Sequence, residues 1–224
     1  ISDYFMENLK TTLDNGLPAT YLNSIFVSAV SVLACLFTSI TIGYALAKFR
    51  FRGQKAILVL VLIGMMLPTQ ISIIGYIMEM RVAHLTNTLW SVIWIANPFS
   101  AFFMMQFLQD SVPEEMLEGA RIDGCSEPGI LFSIVVPCIK PAIMTVATLV
   151  FLWSWNNYLL PLITLNKQKV YTLPLMISNI SVSYRQDYGA QMLALALSTF
   201  PVLLLFILGS RYFVKGITAG AIKG

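Results

Sequence analysis

Glu118-Gly119-Ala120-Arg121-Ile122-Asp123-Gly124, followed after nine intervening residues by Ile134-Val135-Val136-Pro137, is a polar, acid-bearing island in the chain. It lies between two apolar stretches, each long enough to cross a bilayer. Just upstream, Ser111-Val112-Pro113-Glu114 reads as a capping box: Ser111 caps a helix start, Glu114 reaches back, and Pro113 sits in the first turn, where its missing N–H costs nothing. The helix this predicts runs to about Asp123, and Gly124 stops it. Ser126-Glu127-Pro128 opens a second helix by the same chemistry, and Pro137 and Pro141 punctuate the approach to the next apolar stretch. Residues 111–128 are thus a short helix, a glycine turn and another helix lying across a membrane face. Gly119 and Ala120 let a neighbouring surface come close, and Glu118 offers a charge to a basic partner.

Composition puts the whole chain in the membrane class. It is 57% hydrophobic and 11% charged, against roughly 25% charged in soluble domains, with a mean hydropathy of +0.76. The net charge of +3 includes no patch suited to nucleic acid. Cys35, Cys125 and Cys138 lie in or beside apolar runs without C-x-x-C spacing, so they read as small packing residues and not as a disulfide framework or zinc site. The polar opening Asp3, Glu7, Asp14, Asn15 has no signal-peptide pattern.

Five stretches are apolar enough to span: 24–47, 56–78, 88–108, 139–164 and 189–210, with serines, threonines and glycines scattered among large apolar residues. The loop from Lys48 to Lys55 holds Lys48, Arg50, Arg52 and Lys55 and no acid, which assigns it to the cytoplasm. Parity then puts 79–87 outside, 109–138 inside, 165–188 outside and the C-terminus inside, where Arg211, Lys215 and Lys223 agree. Residue 1 falls outside, which predicts a further span before it in the intact protein. Pro68, Pro98, Pro161 and Pro201 lie at depth; such prolines either kink a helix for packing or break it beside a solute path.

The spacing of Glu118, Ala120, Gly124, Ile134 and Pro137 resembles the EAA loop of ABC importer permeases, with Gly119 standing where the family has alanine. The ending Arg211 to Gly224 resembles that of carbohydrate-uptake permeases, in particular the second, six-span permease of maltose-type importers. Asn23-Ser24, Lys48 to Gly53 and Trp155-Asn156 agree with it. The resemblance implies an all-α integral membrane fold of the type I permease kind, one transmembrane domain over 1–224 with the coupling segment 111–128 inside it. It further implies that Glu118, Gly119, Ala120, Asp123 and Gly124 dock on an ATPase subunit. Thr218, Ala219, Gly220 and Lys223 of the tail would run along the ATPase dimer. The implied partners are a homologous second permease, two ABC ATPases and an extracytoplasmic solute-binding protein, in a bacterial or archaeal inner membrane. ATP and magnesium would belong to the ATPases, leaving no cofactor here.

No G-x-x-x-x-G-K-[ST] occurs, so no P-loop cradles ATP. The single histidine, His84, has no candidate ligands beside it, and no catalytic constellation forms around it. Trp155, Asn156, Asn157 and Tyr158 combine aromatic faces and amides suited to a sugar path, while interfacial belting and a helix–helix hydrogen bond are the plainer readings of the same residues. A non-sugar importer for a polyamine, phosphodiester or anion is the nearest alternative. A channel or ion-coupled carrier is disfavoured, because the spans hold essentially no ionisable residue.

Overall fold

Prolines and asparagines cut several apolar stretches into shorter helices than their hydropathy predicts. The computed structural model describes residues 3–180 and 187–221. Helices α1 (Asp3–Asp14) and α2 (Leu17–Lys48) come first, then α3 (Gln54–Met66), α4 (Thr69–Val82) and a 3₁₀ turn at Leu89–Val92. Helices α5 (Pro98–Ser111), α6 (Glu114–Ile122) and α7 (Glu127–Ile130) follow. A π turn over Leu131–Val135 leads into α8 (Val136–Cys138), α9 (Lys140–Trp155) and α10 (Leu159–Thr164). A 3₁₀ turn at Gln168–Val170, α11 (Leu173–Ile180) and α12 (Tyr188–Ala221) complete the order, with no strand among the described residues.

The stretches 24–47 and 189–210 lie in the uninterrupted helices α2 and α12, which are long and apolar enough to cross a membrane. The other three differ from expectation. Stretch 56–78 is broken before Pro68, where Leu67 is extended (φ −74°, ψ 125°), the conformation a following proline favours. Stretch 88–108 is α-helical only from Pro98. Asn97 is extended and accepts a hydrogen bond from the Ser100 N–H, so α5 is capped there and holds 14 residues. Stretch 139–164 stops at Trp155 and restarts at Leu159, with Asn157 Oδ1 accepting the Leu160 N–H at 3.3 Å. Counting each of two broken helix pairs as one span gives up to four spans among the described residues.

The chain divides into two compact units. The first comprises Ile1–Ser31, Thr69–Trp94 and Val150–Leu208. Its core joins Leu17, Trp155, Leu173, Met176 and Ile177 with Ala190 and Ala194 of α12. Asn23 and Ser24 act here as a clamp. Asn23 Nδ2 donates to the carbonyls of Lys169 and Tyr171 at 3.1 and 2.9 Å, and Ser24 Oγ accepts the Leu173 N–H at 2.7 Å, capping α11. Helix α11 was not expected; its Leu173, Leu175, Met176, Ile177 and Ile180 are buried. Neither was α1, which Thr12 fastens to the Ala190 carbonyl at 3.2 Å.

The second unit comprises Val32–Pro68, Ile95–Leu149 and Gly209–Gly224. Met104, Leu108, Leu117, Ile130, Ile139 and Val146 are its most buried large side chains. Gly43 makes close packing possible: a Cβ there would lie 2.8 Å from Met104 Cβ and 2.9 Å from the Met105 backbone nitrogen.

The small residues of α2 are not scattered. Thr20, Ser24, Ser28, Ser31, Cys35, Ser39 and Gly43 recur every three or four positions and are all buried, making one continuous stripe. Stripes of this kind let helices approach in a membrane, where apolar bulk gives no preference for protein over lipid. Outward faces carry large apolar side chains, including Leu22, Leu33 and Phe37 on α2 and Phe200 and Phe206 on α12.

Candidate functional site

Helix α6 is built as a platform with one face down and one face out. Proline 113 is its N-cap (φ −63°, ψ 145°), and Glu114 and Glu115 occupy the first turn, where the helix dipole favours acids. The expected capping box is not formed. Ser111 is the last residue of α5, because Pro113 drives Val112 into an extended conformation (φ −121°, ψ 103°) and ends that helix early. Leu117 and Ala120 are buried, while Glu118, Gly119, Ile122, Asp123 and Gly124 are exposed. Ile122 is 86% exposed, an apolar side chain projecting beside Glu118 one turn away.

The C-terminal stop is as the sequence predicts. Gly124 is left-handed (φ 81°), its N–H donates to the Arg121 carbonyl at 3.1 Å, and the Cys125 N–H donates to that of Ala120 at 3.0 Å. These two bonds are the Schellman pattern. Ser126 then caps α7, accepting from the Gly129 N–H at 3.4 Å, with Pro128 in the first turn. The chain bends by 82° between Glu127–Cys138 and Lys140–Trp155.

Both ion pairs found among the described residues involve this segment. Arg121 Nε donates to Glu127 Oε1 at 2.7 Å, and Lys48 Nζ stands 3.7 Å from Glu114 Oε2. The bond from Arg121, helped by one from Tyr44, holds the Glu127 carboxyl below the usual glutamate range, and the bond to Glu127 pushes the Arg121 guanidinium up.

Gly119, where the resemblance leads one to expect alanine, has open space around a Cβ position. Gly119→Ala is therefore expected to stabilise α6 by about 0.5–1 kcal/mol, through lost backbone freedom in the unfolded chain. Chemical denaturation of the detergent-solubilised protein measures this, and a destabilised variant would show that the position is sterically constrained.

The aromatic–amide cluster is only partly brought together. Trp155, Asn156 and Tyr158 line a cavity of about 420 Å³ with Ser178, Gln191 and Ser198. Trp155 itself is 3% exposed: it stacks on Phe151 at 5.5 Å, meets Tyr21 edge-on at 5.5 Å, and donates from Nε1 to the Ser198 carbonyl at 3.1 Å. It is a wall of the cavity and part of the core. Asn156 spends Nδ2 on the Leu152 carbonyl, and Asn157 is used in the α9–α10 break instead of the cavity lining. Ser178 and Gln191 were missed, since the helices bearing them meet only in three dimensions.

Thr218, Ala219 and Gly220 lie on the last turns of α12, which continues as helix to Ala221. Propagating an existing helix adds one hydrogen bond per residue without a new nucleus. Lys223 lies outside the described residues. Of the three cysteines, all free, only Cys35 is buried; Cys125 and Cys138 are exposed and do not pack as expected. His84 is exposed, in a left-handed turn at φ 56°.

Residues 39–219 match the family described as binding-protein-dependent transport system inner membrane component. The arabinooligosaccharides transport system permease protein AraQ of Halalkalibacterium halodurans is 37% identical, over 95% of this chain and 80% of that protein. The diacetylchitobiose uptake system permease protein DasC of Streptomyces coelicolor is 30% identical, over 100% of this chain and 82% of that protein. Among solved structures, a bacterial ABC transporter involved in alginate import superimposes with a TM-score of 0.82 at 22% identity, covering 92% of this chain and 79% of its counterpart. The fold is thus that of an ABC importer permease of type I. This chain belongs to the binding-protein-dependent transport system inner membrane component family and is a multi-pass membrane protein.

Proposed function

We propose that this chain is the carbohydrate-translocating permease subunit of an ATP-driven importer, taking an oligosaccharide from an external binding protein. The observation that carries the reading is α6: a short capped helix whose outward face combines Glu118, a bare Gly119 and an 86%-exposed Ile122. Such a face suits a partner cleft that offers a basic group and an apolar pocket. Matches over 92% to 100% of this chain to permeases named for arabinooligosaccharides, diacetylchitobiose and lactose support the sugar class over polyamines or anions.

In this reading ATP hydrolysis occurs on separate ATPase subunits, and closure of those subunits displaces α6 on the cytoplasmic side. The C-terminus is cytoplasmic too. A second, homologous permease completes the path. The cavity beside Asn156, Tyr158, Ser178 and Gln191 supplies amide and hydroxyl groups to the sugar, and Trp155 holds its wall in place through Ser198. Deleting the gene and following radiolabelled oligosaccharides tests this. Loss of uptake of one oligosaccharide class, with polyamine uptake intact, is the expected result; retained uptake of every sugar tried, with polyamine uptake lost, would reverse it.

A further inference from the structure

Helix α6 is attached at both of its ends to one face of the last turns of α2. Tyr44 and Lys48 stand four residues apart on α2, which places them on the same face. Lys48 is 5% exposed on its side chain, so its ammonium needs a partner. It finds one in the Val112 carbonyl at 2.6 Å, at the C-terminal end of α5 where the helix dipole is negative, with Glu114 nearby. That contact fastens the corner where α6 begins. At the other end, Glu127 uses both carboxylate oxygens: Oε1 accepts from Arg121 of α6 at 2.7 Å, and Oε2 accepts from the Tyr44 hydroxyl at 3.0 Å. The Arg121 guanidinium also lies 5.8 Å over the Phe49 ring, which meets Tyr44 edge-on at 5.3 Å.

Without these attachments α6 is held only by its buried Leu117 and Ala120, between two pivots. Val112-Pro113 is extended at its start, and Gly124 is a left-handed turn with open space around it at its end. A push on the outward face would then rotate the helix about those pivots and leave the membrane helix where it was. A single carboxylate that joins α6 to α2 removes the second pivot.

We propose that Glu127 is a positioning residue that locks the docking helix to α2 through Arg121 and Tyr44, so that displacement of α6 is delivered to the membrane helix. This rests on the reading that α6 docks on an ATPase. Lys48 completes the brace at the opposite end.

The test uses the complex purified from its native membrane through a tag on this chain. A spin label at Leu33→Cys, an outward position on α2 that is 68% exposed, reports movement of that helix. The exposed Cys125 and Cys138 are replaced by serine in this background. Spectra are compared with and without ATP plus orthovanadate. The reference chain shows a nucleotide-dependent change. Glu127→Ala and Arg121→Glu still co-purify the ATPase but lose most of that change, and the double swap Arg121→Glu/Glu127→Arg recovers a large part of it. Recovery by the swap is what a merely structural role would not give. A full spectral change in Glu127→Ala with the ATPase bound overturns the brace. Loss of the ATPase from Glu127→Ala also overturns it, since the residue would then only shape the docking face. Glu118→Lys is the separate control: an ATPase still fully bound and coupled in that variant overturns the docking reading and leaves the Glu127 comparison standing on its own.

Discussion

Glu118→Lys is expected to remove most uptake while the protein still inserts and folds. The side chain points away from the buried Leu117 and Ala120, so nothing inside the chain depends on its charge. A partner cleft shaped for a carboxylate would instead face an ammonium, a mismatch on the order of 1–3 kcal/mol when partly desolvated. That corresponds to roughly five- to 150-fold weaker docking. Gly124→Pro should reach the same phenotype by another route. Proline holds φ near −65° where Gly124 needs 81°, and it lacks the N–H that now donates to Arg121, a loss on the order of 3 kcal/mol in the turn. Co-purification of the ATPase followed by solute-stimulated turnover measures both. Normal assembly and coupling in both variants would leave residues 118–124 without a docking role.

Gly43→Leu should have the larger effect on stability. The Met105 backbone nitrogen stands 2.9 Å from where a Cβ would sit, so no side-chain rotation relieves the clash and α2 must move off α5. Overpacking of this sort costs about 1–3 kcal/mol or more, and it would also displace the neighbouring Tyr44. Gly75→Leu on α4 is the matched comparison, because a Cβ there meets nothing within 4 Å. Thermal unfolding in detergent should show a much lower midpoint for the first variant than for the second. Equal midpoints would mean that α2 and α5 are not packed at Gly43.

Why α6 was legible and the membrane helices were less so has a physical basis. The end of α6 is encoded locally: a glycine at a left-handed position, then a serine cap and a proline within four residues. Its start was misplaced by two residues, since Ser111 fits the capping pattern while the stronger steric rule for the residue before Pro113 decides where α5 ends. Breaks inside the apolar stretches depend on Asn97, whose side chain caps α5, and on Asn157, whose side chain accepts the Leu160 N–H at the start of α10, and hydropathy registers neither. Helix α11 requires Ser24, 149 residues earlier, to satisfy its first N–H. The small-residue stripe on α2 was in plain view as a pattern of three and four, yet it acquires meaning only when the packed face is known. In the cavity, the Trp155 indole is committed to the Ser198 carbonyl and its ring to Phe151, partners that no local pattern announces.

In the proposed function the outward face of α6 meets an ATPase subunit. Cross-linking from Ile122→Cys, with Cys125 and Cys138 replaced by serine and Leu33→Cys on α2 as the comparison site, addresses it directly in native membranes. A short bifunctional reagent is expected to join position 122 to the ATPase, while position 33 gives no such product. A cross-link to the ATPase from position 33, with none from position 122, would contradict it.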